Sequence, residues 1–213
     1  MTDLSLYYPQ SPVRQLPVWK RPLDLSLTLI GLLAIWPVLL VVALAVRLSS
    51  PGPVFFVQTR IGQDGIPFGM IKFRSMYVNA EARRAALLAQ SDRASICFKS
   101  RNDPRITPVG RILRRLSLDE LPQIFNVLRG EMSLVGPRPA LPEEVRAYPA
   151  RALGRLSVLP GITGLWQVSG RAEIGFDEMV EMDLACAADG RLTTDLSLLS
   201  QTVRAVITGR GAY

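Results

Sequence analysis

The run LSLTLIGLLAIWPVLLVVALAV, Leu25 to Val46, carries no charged residue and exceeds the roughly 18 apolar residues that mark a candidate membrane helix. A core helix of a soluble domain normally keeps a polar face, which makes that alternative the weaker one. The run is also longer than the apolar part of a cleaved signal peptide, and Arg47 follows it in place of a small-residue cleavage site. Near its centre Pro37 removes a backbone hydrogen bond and crowds the preceding turn, so a bend is expected there. Trp36 beside it prefers interfaces to the bilayer centre. Lys20 and Arg21 precede the run and Arg47 follows it, so the positive-inside rule puts both ends on the cytoplasmic side. These features favour a re-entrant helix over residues 19–48, broken at Trp36-Pro37, above a single pass, which proline-containing spanning helices keep open. Asp24 is costly in lipid unless paired, and Arg21, three residues earlier on the same face, is its expected partner. The alternative for Asp24 is an interfacial carboxylate with no special role.

Outward from the run, residues 1–18 hold three prolines and no periodic apolar face, which reads as a flexible leader. Residues 49–213 read as one catalytic-size domain on the cytoplasmic face. Ser49-Ser50-Pro51-Gly52-Pro53 is a turn cluster that marks the exit from the helix. Val54–Val57 and Phe68–Phe73 are short β-like runs joined by a glycine-containing loop. Helices are expected at 80–89, at 110–115 and, amphipathic, at 196–207. Ser117-Leu118-Asp119-Glu120 has the form of a capping box ahead of Leu121, Ile124, Phe125 and Leu128, and Pro122 fits only a first turn. Residues 135–139 and 159–171 are Gly/Pro-rich loops. The expected fold class is α+β: a compact, irregular membrane-associated domain with an N-terminal Pro-kinked re-entrant membrane helix.

Among 213 residues, 25 Lys and Arg stand against 18 Asp and Glu, a net charge of +7. That balance suits polyanionic partners such as phospholipid headgroups, pyrophosphates or nucleic acid. Two cysteines, Cys97 and Cys186, are too few for a disulfide framework and too distant for a CxxC motif. Histidine is absent altogether, which removes imidazole bases, Ser-His-Asp triads and His-ligated zinc at once. Chemistry must then run on carboxylates, hydroxyls, thiols or cations, a set that suits a hard cation such as Mg²⁺.

Asp119 and Glu120 stand near the expected helix start, where exposed N–H groups also welcome phosphate oxygens. Taken alone, they read more readily as ordinary first-turn caps than as a site. Their neighbours favour chemistry: Arg111, Arg114 and Arg115 precede them, Arg129 follows, and Arg138 lies between two prolines in Gly136-Pro137-Arg138-Pro139. Arg171 ends the loop Gln167-Val168-Ser169-Gly170-Arg171. Arginines on stiff loops suit bidentate phosphate contacts, whereas Arg111 and Arg115 read equally well as surface or lipid-headgroup charges.

KFRSM at Lys72–Met76, RRLSLDELPQIFNVLRGEMSLVGPRP at Arg114–Pro139 and PGITGLWQVSGR at Pro160–Arg171 together resemble the bacterial sugar transferase family, small monotopic polyprenyl-phosphate phosphoglycosyl transferases. Lys20-Arg21 with Asp24 and the closing Gly209–Tyr213 are similar to it too, so the resemblance runs from about Trp19 onward. It implies a ping-pong reaction: Asp119 attacks the β-phosphorus of a UDP-sugar, UMP leaves, and polyprenyl phosphate takes the phosphosugar from the aspartate. By that resemblance Asp119 is nucleophile and Mg²⁺ ligand, and Glu120 supports acid-base exchange. Charge neutralisation then assigns Arg138 and Arg171, with Arg114, to substrate phosphate. Lys72 and Arg74 either add to that cationic field or cap a strand.

Two departures from the family pattern stand out. Trp36-Pro37 replaces the usual Ser-Pro at the helix break, which removes a hydroxyl able to bond a freed carbonyl. Met182–Ala188 replaces an aromatic-rich stretch. The competing class is a non-catalytic, membrane-anchored basic module that binds acidic lipid or polysaccharide. A nucleic-acid partner fits the charge but no recognisable motif. Donor sugar, final glycan and oligomeric state are not encoded in any motif.

Overall fold

The computed structural model describes residues 17–80, 103–170 and 174–208. Residues 1–16 of the expected leader, the expected helix at 80–89 beyond Ala80, Cys97, Arg171 and the closing Gly209–Tyr213 lie outside the described residues. α1 (Lys20–Ser49) is a single α-helix with Pro37 inside it. A hairpin follows, β1 (Phe55–Ile61) and β2 (Pro67–Phe73), antiparallel with Phe55 opposite Phe73 and Ile61 opposite Pro67. α2 (Pro108–Arg115) leads into a 3-10 segment, Leu118–Gln123, and then α3 (Ile124–Arg129). β3 (Ser133–Val135), α4 (Pro142–Arg146), a second 3-10 segment at Ala150–Ser157, β4 (Gly161–Thr163) and α5 (Leu165–Ser169) come next. α6 (Phe176–Ala188) and α7 (Leu192–Thr208) complete the mixed helix-and-sheet architecture. β3 and β4 pair in parallel. Their backbones approach so closely that a Cβ on Gly161 would stand 2.1 Å from the Gly136 nitrogen. The expected loop at 159–171 is therefore organised by β4 and α5.

α1 docks at both ends and is bare between them. At the start, Lys20, Asp24 and Thr28 form a buried stripe spaced one helical turn apart. Lys20 Nζ donates to the Asp195 carboxylate on α7 at 2.5 Å and to the Val135 carbonyl at 3.1 Å. At the far end, Val42 and Val46 pack with Phe73 and Leu113. The buried Arg74 guanidinium donates to the Ser50 carbonyl at 2.6 Å and to that of Val46 at 3.4 Å, taking up acceptors a helix terminus leaves unpaired. Between the docked ends Leu29, Ile30, Leu33, Trp36, Val38, Leu40 and Val41 are exposed.

The pairing expected for Asp24 is corrected. Its Oδ1 lies 3.8 Å from Lys20 Nζ and accepts from the Leu134 N–H at 3.2 Å. Arg21 turns instead to the C-terminal end of α3, donating to the Val127 carbonyl at 2.7 Å and the Leu128 carbonyl at 3.2 Å. Helix-end carbonyls lack intrahelical donors and carry the negative end of the dipole, so they compete well for a guanidinium.

Candidate active site

The Asp119-Glu120 dyad sits in the 3-10 segment Leu118–Gln123, directly after Ser117 at φ 54°, ψ 21°. That left-handed residue, unusual outside glycine, turns the chain sharply out of α2. The expected capping box does not form: the Ser117 side chain makes no cap bond to the first turn, and Glu120 faces Lys72. α3 is then fixed to the hairpin by Asn126, which is fully buried. Its Oδ1 accepts from the Ile71 N–H at 3.0 Å, and its Nδ2 donates to the Gly69 carbonyl at 2.8 Å. One side chain thus satisfies the free edge of β2 and sets the dyad beside that strand.

Lys72, on β2, donates to Glu120 Oε1 at 2.6 Å. Burial alone would raise the Glu120 pKa, yet Lys72, followed by Arg138 and Arg60, holds it down at about 2. Asp119 is 7% exposed. Burial first, and the adjacent Glu120 charge second, push its pKa up to about 6, against the pull of Lys72 and Arg114. Two neighbouring carboxylates are thereby separated in protonation behaviour, a pattern that marks functional sites. Among the expected phosphate-binding residues, Arg114 lies close enough to act on Asp119, and Arg138 on Glu120. Arg111, Arg115 and Arg129 are exposed. Two neighbours that sequence alone leaves unassigned belong to the same cationic wall. They are Lys72 and Arg60, the latter buried on β1, its pKa lowered to about 10 by burial and by Arg138.

Among the described residues no cluster of three or more Asp, Glu, His or Cys side chains forms a protein-only metal cage. The donor set nevertheless suits Mg²⁺, which takes one or two carboxylates, water and substrate phosphate rather than a dedicated cage. Asp119 and Glu120 are hard oxygen donors of that kind.

A family model described as bacterial sugar transferase matches residues 15–209. The chain belongs to this family. Within the bacterial sugar transferases it is 38% identical over 198 residues to the exopolysaccharide production protein ExoY of Sinorhizobium fredii, covering 91% of this chain and 88% of that protein. It is 42% identical over 194 residues to the galactosyl transferase CpsE of Streptococcus agalactiae, covering 91% of this chain and 43% of the relative. It is 43% identical over 202 residues to the UDP-glucose:undecaprenyl-phosphate glucose-1-phosphate transferase of Escherichia coli, covering 91% and 41%. The chain thus spans most of ExoY and about two fifths of the two longer bacterial sugar transferases.

Proposed function

We propose that this protein is a phosphoglycosyl transferase that moves a sugar 1-phosphate from a UDP-sugar to undecaprenyl phosphate and releases UMP. The observation that carries the reading is the dyad itself: a buried Asp119 beside an ionised Glu120, faced by Lys72, Arg114, Arg138 and Arg60. Anionic nucleophiles attack anionic phosphates slowly unless charge is neutralised, and a wall of cations supplies that neutralisation without reorganisation. The names of relatives that act on undecaprenyl phosphate support the acceptor.

In the first half-reaction an Asp119 carboxylate oxygen forms a bond to the β-phosphorus of the donor, the bond from that phosphorus to the bridging oxygen breaks, and UMP leaves with the electron pair. In the second, a phosphate oxygen of the lipid attacks the aspartyl phosphosugar and frees the carboxylate. Splitting the transfer in this way is the advantage of a covalent nucleophile. With its pKa near 6, Asp119 is mostly ionised at neutral pH. Arg114 and Arg138, with Arg171, bind donor phosphates. Mg²⁺, held by Asp119 with Glu120 beside it, would supply charge neutralisation at the transferring phosphoryl group.

The same reading makes the protein monotopic on the cytoplasmic face of the bacterial inner membrane, touching phospholipid through α1. A straight 30-residue helix is about 45 Å long, enough to put its ends on opposite sides of a bilayer. Both ends of α1 instead engage one domain, through Lys20 and Arg21 at the start and Val46 and Ser50 at the end. The exposed apolar middle, with Trp36-Pro37 at its centre, is then the part that dips into lipid and turns.

Detergent-solubilised protein, incubated with undecaprenyl phosphate, Mg²⁺ and a panel of UDP-sugars, is expected to release UMP from one donor. Release should depend on lipid and metal, and Asp119→Asn should abolish it. A folded, membrane-bound protein that releases no UMP from UDP-glucose, UDP-galactose or their N-acetylated relatives contradicts the reading.

A further inference from the structure

The loop Gly136–Leu141, which presents Arg138, has four successive carbonyls, and each accepts a hydrogen bond from elsewhere in the chain. The Pro137 carbonyl accepts from the Gly161 N–H at 2.8 Å and the Ala140 carbonyl from the Ile61 N–H at 2.9 Å. Between them the Arg138 carbonyl accepts from Arg155 Nη2 at 3.4 Å and the Pro139 carbonyl from Arg60 Nη1 at 3.0 Å. The two side-chain donors come from opposite sides, Arg60 from β1 and Arg155 from the 3-10 segment Ala150–Ser157.

Both arginines are 4% exposed, and each faces a buried carboxylate. Arg60 lies 4.0 Å from Glu144, which itself accepts from the Leu141 N–H at 2.8 Å and so closes the end of the loop. Arg155 lies 2.5 Å from Asp183 on α6, whose carboxylate also faces the Arg138 backbone N–H. Arg60 Nε and Nη2 donate to Gln58 Oε1 at 3.1 and 2.7 Å, and Arg155 Nη1 donates to the Tyr148 hydroxyl at 2.7 Å, while Arg155 Nε is buried without a hydrogen-bond partner. Buried to this degree and turned toward these partners, neither guanidinium is open to an incoming phosphate. Arg138, by contrast, is half-buried, with its guanidinium 5.8 Å above the Trp166 ring.

Resting on the transferase reading above, we propose that Arg60 and Arg155 are positioning residues that clamp this loop from both sides and make contact with donor phosphate only through Arg138; Arg60 adds its charge to the cationic wall, and Arg60→Lys keeps that charge. A phosphate contact must be in place before charge develops, and a misplacement of about 1 Å can cost roughly a hundredfold in rate. Two prolines restrict the loop's dihedrals but leave it two fewer N–H groups with which to anchor itself. Side-chain donors to its carbonyls supply the missing anchorage. Lysine cannot substitute, since one ammonium cannot hold a loop carbonyl and two further partners in a planar fork.

A double-mutant cycle tests the clamp. Arg60→Lys is made in the wild-type and Arg138→Lys backgrounds, with folding checked by thermal melting in the same detergent. Arg60→Lys is expected to lower kcat/KM for the UDP-sugar by roughly tenfold or more in the wild type and by less than about twofold in Arg138→Lys, because residues that act through one another are non-additive. Equal effects in both backgrounds, or no effect in either, overturn the proposal. Arg155→Lys carries the same cycle from the other side should Arg60→Lys not fold. If neither variant folds, the arginines hold the domain rather than the loop, and the proposal fails. Wild-type protein that turns over no UDP-sugar overturns the transferase reading and the clamp with it, whereas active wild type with additive variants overturns the clamp alone.

Discussion

Asp119 is held in an environment that opposes its own charge, and stability should record that. Its folded pKa of about 6 lies above the ordinary value near 4, so the folded state favours the protonated form. The contribution to stability is full below pH 4 and is lost as pH rises through 6. Asp119→Asn removes the buried charge and should therefore melt higher than wild type at pH 8, by on the order of 2 kcal/mol in stability, with the gap closing toward pH 4. Melting curves at the two pH values decide it, and a variant less stable at pH 8 would show that the carboxylate is not strained. Glu120 has the opposite sign: its depressed pKa depends on Lys72 at 2.6 Å. In Lys72→Met both carboxyls lose a nearby cation, so the Glu120 and Asp119 pKa values should rise, and the acid limb of the kcat/KM profile, which follows the Asp119 nucleophile, should move to higher pH while the alkaline limb stays. An unmoved acid limb would remove Lys72 from the site. The dyad and Arg138 were legible as residue types in context. The pairing of Lys72 with Glu120, 48 positions apart, was not, because no local pattern encodes which strand meets which turn.

Elements whose signal is local are legible in the sequence. The two apolar runs after the turn cluster became β1 and β2, and the basic stretch before the dyad became α2. The parallel pairing of β3 with β4 joins three-residue segments, too short for alternation to reveal. Arg21 leaves Asp24 because the fold brings it the Val127 and Leu128 carbonyls, acceptors that spacing along α1 does not reveal. The pair Lys20–Asp195, separated by 175 positions, is the extreme case. It joins α1 to α7, and its side chains are 8% and 12% exposed. Lys20→Met leaves Asp195 and Asp24 without their cation, so a loss of about 3–5 kcal/mol is expected. Arg151→Ala, at a side chain 52% exposed, should cost at most about 1 kcal/mol. Thermal melting in a common detergent compares them, and equal losses would mean that the α1–α7 junction contributes no more than a surface ion pair.

At the scale of the whole molecule, the apolar run was legible from composition, but the joining of its two ends to one domain required the tertiary structure. That arrangement predicts topology. In a background without Cys97 and Cys186, Val18→Cys and Pro51→Cys should both resist an impermeant maleimide in intact cells and both react in inverted membrane vesicles. Reaction of one from each side would establish a single pass and contradict the re-entrant form. If Asp119 accepts the phosphosugar before the lipid does, the first half-reaction proceeds in an assay without undecaprenyl phosphate. The UDP-sugar that supports turnover, supplied in excess of enzyme with Mg²⁺ and no acceptor, should release close to one UMP per active site and then stop, with sugar phosphate retained on the protein by intact mass. UMP that appears only when lipid is added, or that Asp119→Asn releases as well as wild type, would contradict it.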